Sequence, residues 1–150
     1  MDYSELAVEL FNKMQSFKNA EPQKNIDEAM RGEAFVLHYI ASHGGEAVPG
    51  EIGGEMNVTS ARIAQTLNGS EKKGYITRRI DQNDRRRIIV SLTLEGKKEE
   101  ERQHRMIMES SAKMLEMLGE HDAKEHVRIV GKLAEIIAEI QSPLQHMQEF

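Results

Sequence analysis

Between residues 78 and 87 the chain carries five arginines in ten positions: Arg78, Arg79, Arg85, Arg86 and Arg87. Guanidinium groups at that density fill a core badly and bind polyanions well, because each is permanently charged and offers phosphate a planar fork of donors. The flanking segments 75–80 and 87–93 alternate like strands, and Asp81-Gln82-Asn83-Asp84 supplies turn chemistry between them. The arginines are therefore expected on a hairpin and around its tip. Residues 60–90 hold eight lysines and arginines against three acids, a local charge of +5, whereas the whole chain carries −5. A basic face on an acidic body is the electrostatic footprint of a DNA-binding module.

A second group of residues precedes the hairpin. Thr59, Ser60, Ala61, Arg62, Ala64 and Gln65 lie at the start of an expected helix whose inward positions are Ile63 and Leu67. Arg62 can pair with guanine and Gln65 with adenine in a major groove, and both can instead touch only phosphates.

Other chemistries find less support. Glu101 and His104 have the Glu-x-x-His spacing of carboxylate-bridged bundles, but such a site needs two motifs and further glutamates. The single motif lies in a run of charge, so an exposed polar face is expected, with no metal ligand and no cofactor. His38 and His43 are five residues apart, as are His121 and His126, and neither pair shares a helix face. A metal-responsive regulator is the alternative, and His38, His104 and the acids near them are the positions to test. The absence of cysteine excludes disulfides and thiolate sites within the chain. There is no nucleophile–base constellation and no glycine-rich phosphate loop, so an enzyme is not expected. The nine methionines include Met106, Met108, Met114 and Met117 on one expected helix. They could line an adaptable crevice, but their helical spacing fits core or dimer contacts better.

These groups need a scaffold. At 150 residues one compact subunit is expected. No apolar run approaches the ~20 residues of a membrane span, and the acidic N-terminus lacks the apolar stretch of a secretory signal. A cytoplasmic location is expected. Apolar periodicity predicts helices at 4–18 and 26–42, separated by a polar break at 19–25 that contains Pro22. A short helix over Gly50–Met56, with Pro49 in its first turn, leads through a turn at Asn57-Val58-Thr59 to the helix from Ser60, with Thr59 as its cap. The two strands follow. A helix from Glu95 to about Leu118 comes next, with Thr93 as candidate cap, then a last helix over 123–141, opened by Asp122 and stopped by Pro143. The fold class is mainly α: about six helices plus a two-stranded β-wing, forming a winged helix-turn-helix.

In that order, the motifs resemble those of the multiple-antibiotic-resistance regulator (MarR) family. The helix-turn-helix frame is Glu51-Ile52-Gly53, then Met56-Asn57-Val58-Thr59, then Ile63; the approach to the wing is Glu71-Lys72-Lys73-Gly74-Tyr75-Ile76. The wing is Asp81-Gln82-Asn83-Asp84-Arg85-Arg86 and its exit Val90-Ser91-Leu92-Thr93-Leu94-Glu95-Gly96. The resemblance implies a homodimeric transcription regulator that binds double-stranded DNA, commonly a repressor on a pseudopalindromic operator. It implies a winged DNA-binding region over 46–93 and a helical dimerisation region over 1–25 and 95–150. Arg86 would enter the minor groove with Asp84 bracing it, Arg85 and Arg87 would contact the backbone, and Ser60 to Gln65 would face the major groove. Many such proteins bind a small effector, often an aromatic acid. The alternative class is a winged helix used for protein–protein contact without DNA. Two positions depart from the family pattern. Ile52-Gly53 stands where Leu-Ala is usual, and Ser70 stands where a leucine is usual. The second departure removes an apolar anchor, so a softer end to the recognition helix is expected.

Overall fold

The computed structural model describes residues 2–145. By internal contacts the chain divides into two compact units, Met1–Ser111 and Ala112–Phe150, with the boundary inside a long helix. The first unit opens with α1 (Tyr3–Phe17), α2 (Glu21–Arg31) and α3 (Glu33–Ser42). Strand β1 (Glu46–Ala47) leads into α4 (Pro49–Met56) and α5 (Ser60–Lys72), followed by β2 (Ile76–Ile80), β3 (Ile88–Leu92) and α6 (Leu94–Leu118). Helix α7 (Glu120–Gln145) belongs to the second unit.

Most of the polar stretch read as a break, residues 21–25, is instead the first part of α2. Pro22 sits in its first turn, where a missing N–H is harmless, and the helix ends at Gly32. There the backbone is extended, and a Cβ on Gly32 would lie 2.0 Å from the Glu28 carboxylate that accepts from the Glu33 amide at 3.0 Å. The expected single helix over 26–42 is therefore two helices meeting at a glycine.

The sheet has three strands in the order β1-β3-β2, all antiparallel, with Ala47 opposite Val90 and Ile76 opposite Leu92. Strand β1 is too short to show a sequence period, which is why only two strands were expected. The core lies between this sheet and α3, α4 and α5. Val36, Leu37, Ile40, Ile52, Leu67, Ile76 and Val90 are fully or almost fully buried there. At the far end of the hairpin the core stops: Ile80 and Ile88 pair across the strands but are exposed.

Ser70 is also fully buried, and its hydroxyl donates to Glu33 Oε2 at 2.8 Å. Lys73 Nζ reaches the same carboxylate at 3.1 Å. The anchor missing as leucine is thus present as a hydrogen bond to α3. Helix α5 continues to Lys72 and closes with the two reversed hydrogen bonds of a glycine cap, Tyr75 N to Ser70 O and Gly74 N to Glu71 O, both 3.0 Å. Gly74 takes the required left-handed conformation, with φ +79°.

Thr93 ties the wing to α6. Its hydroxyl accepts from Gly96 N at 3.0 Å and donates to the Gly74 carbonyl, while its own amide donates to Tyr75 O at 3.0 Å. A Cβ on Gly96 would fall 1.9 Å from that Tyr75 oxygen. The threonine-x-x-glycine exit therefore has a packing cause.

Helix α7 starts earlier than its sequence suggested. Gly119, at φ +80°, makes the turn, so Asp122 lies in the first turn of α7 instead of capping it. A carboxylate there still suits the positive end of the helix. The helix also runs past Pro143 to Gln145. Losing one N–H near the end of a long helix does not terminate it.

The buried Gly53 has a different environment from Gly96. A Cβ there would meet Ile63 Cγ2 at 3.6 Å, an ordinary contact. Gly53→Ala is expected to raise stability by about 0.5–1 kcal/mol through helix propensity. Gly96→Ala is expected to lower it by several times that through the clash with backbone. Urea denaturation of the two variants against the parent chain checks both signs.

Candidate nucleic-acid interface

The helix-turn-helix is built by α4 and α5. Asn57 adopts the left-handed conformation, φ 53°, which turns the chain sharply after α4, and Val58 N donates back to Gly53 O at 3.2 Å. Asparagine tolerates that conformation better than most residues. Thr59 then caps α5, its hydroxyl accepting from Arg62 N at 3.2 Å. Ile63 and Leu67 point into the core, which fixes the rotation of the helix. As a result Thr59, Ser60, Ala61, Arg62, Ala64 and Gln65 are all exposed at its N-terminal half.

The wing tip is shaped by two side-chain turns. Asp81 Oδ1 accepts from Asn83 N at 3.0 Å, and Asp84 Oδ1 accepts from Arg86 N at 3.1 Å. Backbone bonds from Arg87 N to Asp84 O, 2.9 Å, and from Asp81 N to Arg87 O, 2.8 Å, close the loop. The contact between Asp84 and Arg86 therefore runs through the Arg86 backbone.

The five arginines separate into two kinds. Arg78 is tied back to α5, with Nε donating to Glu71 at 2.9 Å and a further bond to Asn68. Arg79 pairs with Glu46 of β1 at 2.9 Å and donates to Ser91 at the same distance. Arg87 lies 3.6 Å from Glu51 of α4. Among the described residues, the guanidinium groups of Arg85, Arg86 and Arg62 have no acid within ion-pair distance. Three arginines thus hold the hairpin against its neighbours, and Arg85 and Arg86 stand exposed at the tip with their charge uncompensated. The sequence alone did not separate these kinds, because the pairing acids Glu46, Glu51 and Glu71 are distant along the chain or on another element.

Residues 30–87, which include the whole of this arrangement up to the wing tip, match the MarR family. The chain is 28% identical, over 67% of its length, to the uncharacterized HTH-type transcriptional regulator YcgE of Bacillus subtilis (strain 168), and that match spans 65% of YcgE. It is 27% identical to a second such regulator of that organism, YwhA, over 90% of this chain and all of YwhA. The fold of a MarR transcriptional regulator from Methanosarcina mazei Go1 superposes with a TM-score of 0.67 at 17% identity, covering 91% of this chain and 99% of that one. The relatives that it matches are transcriptional regulators. Among the described residues, no helix is long and apolar enough to cross a membrane.

The two kinds of arginine should differ in what their loss does to the fold. Arg78→Ala is expected to cost about 1 kcal/mol, the scale of a well-aligned, partly exposed pair. Arg86→Ala is expected to stay within about 0.5 kcal/mol of the parent. Thermal unfolding followed by circular dichroism measures both.

Proposed function

We propose that this chain is a homodimeric repressor that binds double-stranded DNA at a pseudopalindromic operator. The carrying observation is the pairing of two exposed groups on one rigid frame: the N-terminal half of α5 and the uncompensated Arg85 and Arg86 at the wing tip. In helix-turn-helix modules the start of the second helix enters the major groove. Thr59, Ser60, Ala61, Arg62, Ala64 and Gln65 occupy that position, with Arg62 and Gln65 as base-reading side chains. Arg86 reaches the minor groove, where narrow A·T-rich segments concentrate negative potential. Asp84 shapes the tip that presents it, and Arg85 contacts the backbone. Arg78, Arg79 and Arg87 add positive potential while they position the hairpin.

The second copy is favoured by apolar surface. Helix α1 buries no residue and exposes Leu6, Leu10, Phe11, Met14 and Phe17; α7 exposes Val130, Leu133, Ile137 and Ile140. Stripes of this kind on both terminal helices are what a subunit interface covers. Recognition helices of a two-fold dimer then lie about 34 Å apart, one turn of DNA. An effector that changes that spacing would regulate binding. The acidic remainder of the chain keeps non-specific DNA affinity modest.

Duplex binding measured against salt tests this reading. A dimer with ~6–10 phosphate contacts is expected to lose roughly 10³–10⁵ in affinity between 50 and 200 mM salt. Arg86→Ala should weaken all duplexes alike and flatten that slope, whereas Arg62→Ala should cost about 1–3 kcal/mol mainly on the preferred site. Absence of any duplex binding at low salt would favour the protein-contact alternative.

Sedimentation at micromolar concentration is expected to give a dimer. Leu133→Asp, which puts a charge into the α7 stripe, should shift it toward monomer; a monomeric parent chain would remove the symmetric operator from the proposal.

A further inference from the structure

A separate cluster lies within the first unit, between α3 and the first half of α6. His38 on α3, Glu100 and His104 place one potential ligand atom each within 4.8 Å of one another. His38 Nδ1 donates to Glu100 Oε1 at 2.9 Å, and the His38 and His104 rings are parallel, with centroids 5.4 Å apart. The Glu100 side chain is only 12% exposed, while that of His38 is 58% exposed. One ligand is thus anchored and the imidazoles can turn.

These residues border a cavity of about 160 Å³ whose other walls include Ala29, Ala34, Gln103 and Ile107. Its size and charge narrow the occupant. Drug-sized organic ligands fill roughly 300–1,000 Å³. The cavity is smaller than that, and its lining contains a carboxylate but no lysine or arginine. An anionic aromatic effector finds no cationic partner here. A cation finds one carboxylate and two imidazoles.

We propose that His38, Glu100 and His104 form a binding site for a divalent transition-metal ion of the zinc class. Imidazole with carboxylate, and no thiolate, suits Zn²⁺ and its neighbours better than the hard ions Mg²⁺ and Ca²⁺. Three protein ligands leave a fourth tetrahedral position for water. Ligands 2.0–2.1 Å from zinc stand about 3.3 Å apart, so the cluster closes by turning exposed rings, without backbone movement. Gln103 supports the assignment. Its amide nitrogen donates to Glu99, which Arg102 holds at 2.6 Å, and its Oε1 is buried without a hydrogen-bond partner. A metal-bound water or a ligating imidazole N–H would satisfy an acceptor of that kind. Of the acids near His104, the fold brings Glu100 into the cluster. It lies four residues before His104, whereas Glu101 of the Glu-x-x-His motif stays outside the cluster.

The site joins α3 to α6, and α3 packs against the recognition helix α5. Occupancy would therefore stiffen the platform that carries α5.

The test measures metal directly, without DNA, so its outcome is independent of the regulator reading. Chelator-stripped protein is titrated with ZnCl₂ against a chromophoric zinc indicator, with MgCl₂ as the hard-ion control. One Zn²⁺ per chain at micromolar affinity or tighter, and no competition by millimolar Mg²⁺, is the expected result. His104→Ala and Glu100→Gln should each weaken Zn²⁺ by at least the about 10-fold that losing an outer hydrogen-bond partner costs. A His121→Ala/His126→Ala chain should bind as the parent does. Glu100→Gln is nearly isosteric, so it reports even if His104→Ala misfolds by circular dichroism. No stoichiometric zinc, or parent-like binding by Glu100→Gln or by a folded His38→Ala/His104→Ala chain, overturns the site.

Discussion

Helix α5, the β2–β3 hairpin and α6 are locked together where Thr93 meets Gly74 and Tyr75. One threonine caps α6 through Gly96 N, holds the Gly74 carbonyl and donates to the Tyr75 carbonyl. Those two partners are the residues that cap α5. The end of one helix, both strands of the wing and the start of another are thus fixed within a few ångströms. The absence of a side chain at Gly96 is the steric condition for this approach, because any Cβ would overlap the Tyr75 oxygen. The distance between the exposed start of α5 and the wing tip depends on this crossing, and so does the proposed DNA contact.

A second constraint sets the rotation of α5. Ile63 and Leu67 bury one face, and Ser70 completes it by bonding Glu33. A polar group there is tolerable because the serine hydroxyl donates to a carboxylate that Lys73 also neutralises. The same hydrogen bond joins α5 to α3, the helix that carries His38. Helix α5 and the His38–Glu100–His104 cluster are therefore attached to one element.

Charge on the hairpin is divided by partners. Arg78, Arg79 and Arg87 spend their donors on Glu71, Glu46 and Glu51, which steadies the hairpin against α5, β1 and α4. Such partly exposed pairs are individually weak. Their effect is geometric: they hold the wing so that Arg85 and Arg86 project beyond it. The net charge of the chain says nothing about this arrangement, and the local excess over residues 60–90 says only that it is somewhere on the hairpin.

Much was legible from local chemistry. Helix-turn-helix and wing boundaries followed from Pro49, Asn57, Thr59, Gly74 and the Asp-rich tip, because caps and turns act over two to five residues. Periodicity located the inward positions Ile63 and Leu67 for the same reason. What escaped was everything requiring two distant segments. Strand β1 exists only by pairing with β3; Ser70 counts as an anchor only when Glu33 is beside it; α2 emerges from a polar segment with Pro22 in its first turn and Gly32 at its end. The sequence by itself determined the elements and the exposed chemistry of α5 and the wing, since these follow from residue type and short-range order. Only the tertiary structure decided which arginines are already paired and that His38 and Glu100, 62 residues apart, meet beside His104. Proximity across the fold is a property of packing, and no local pattern encodes it.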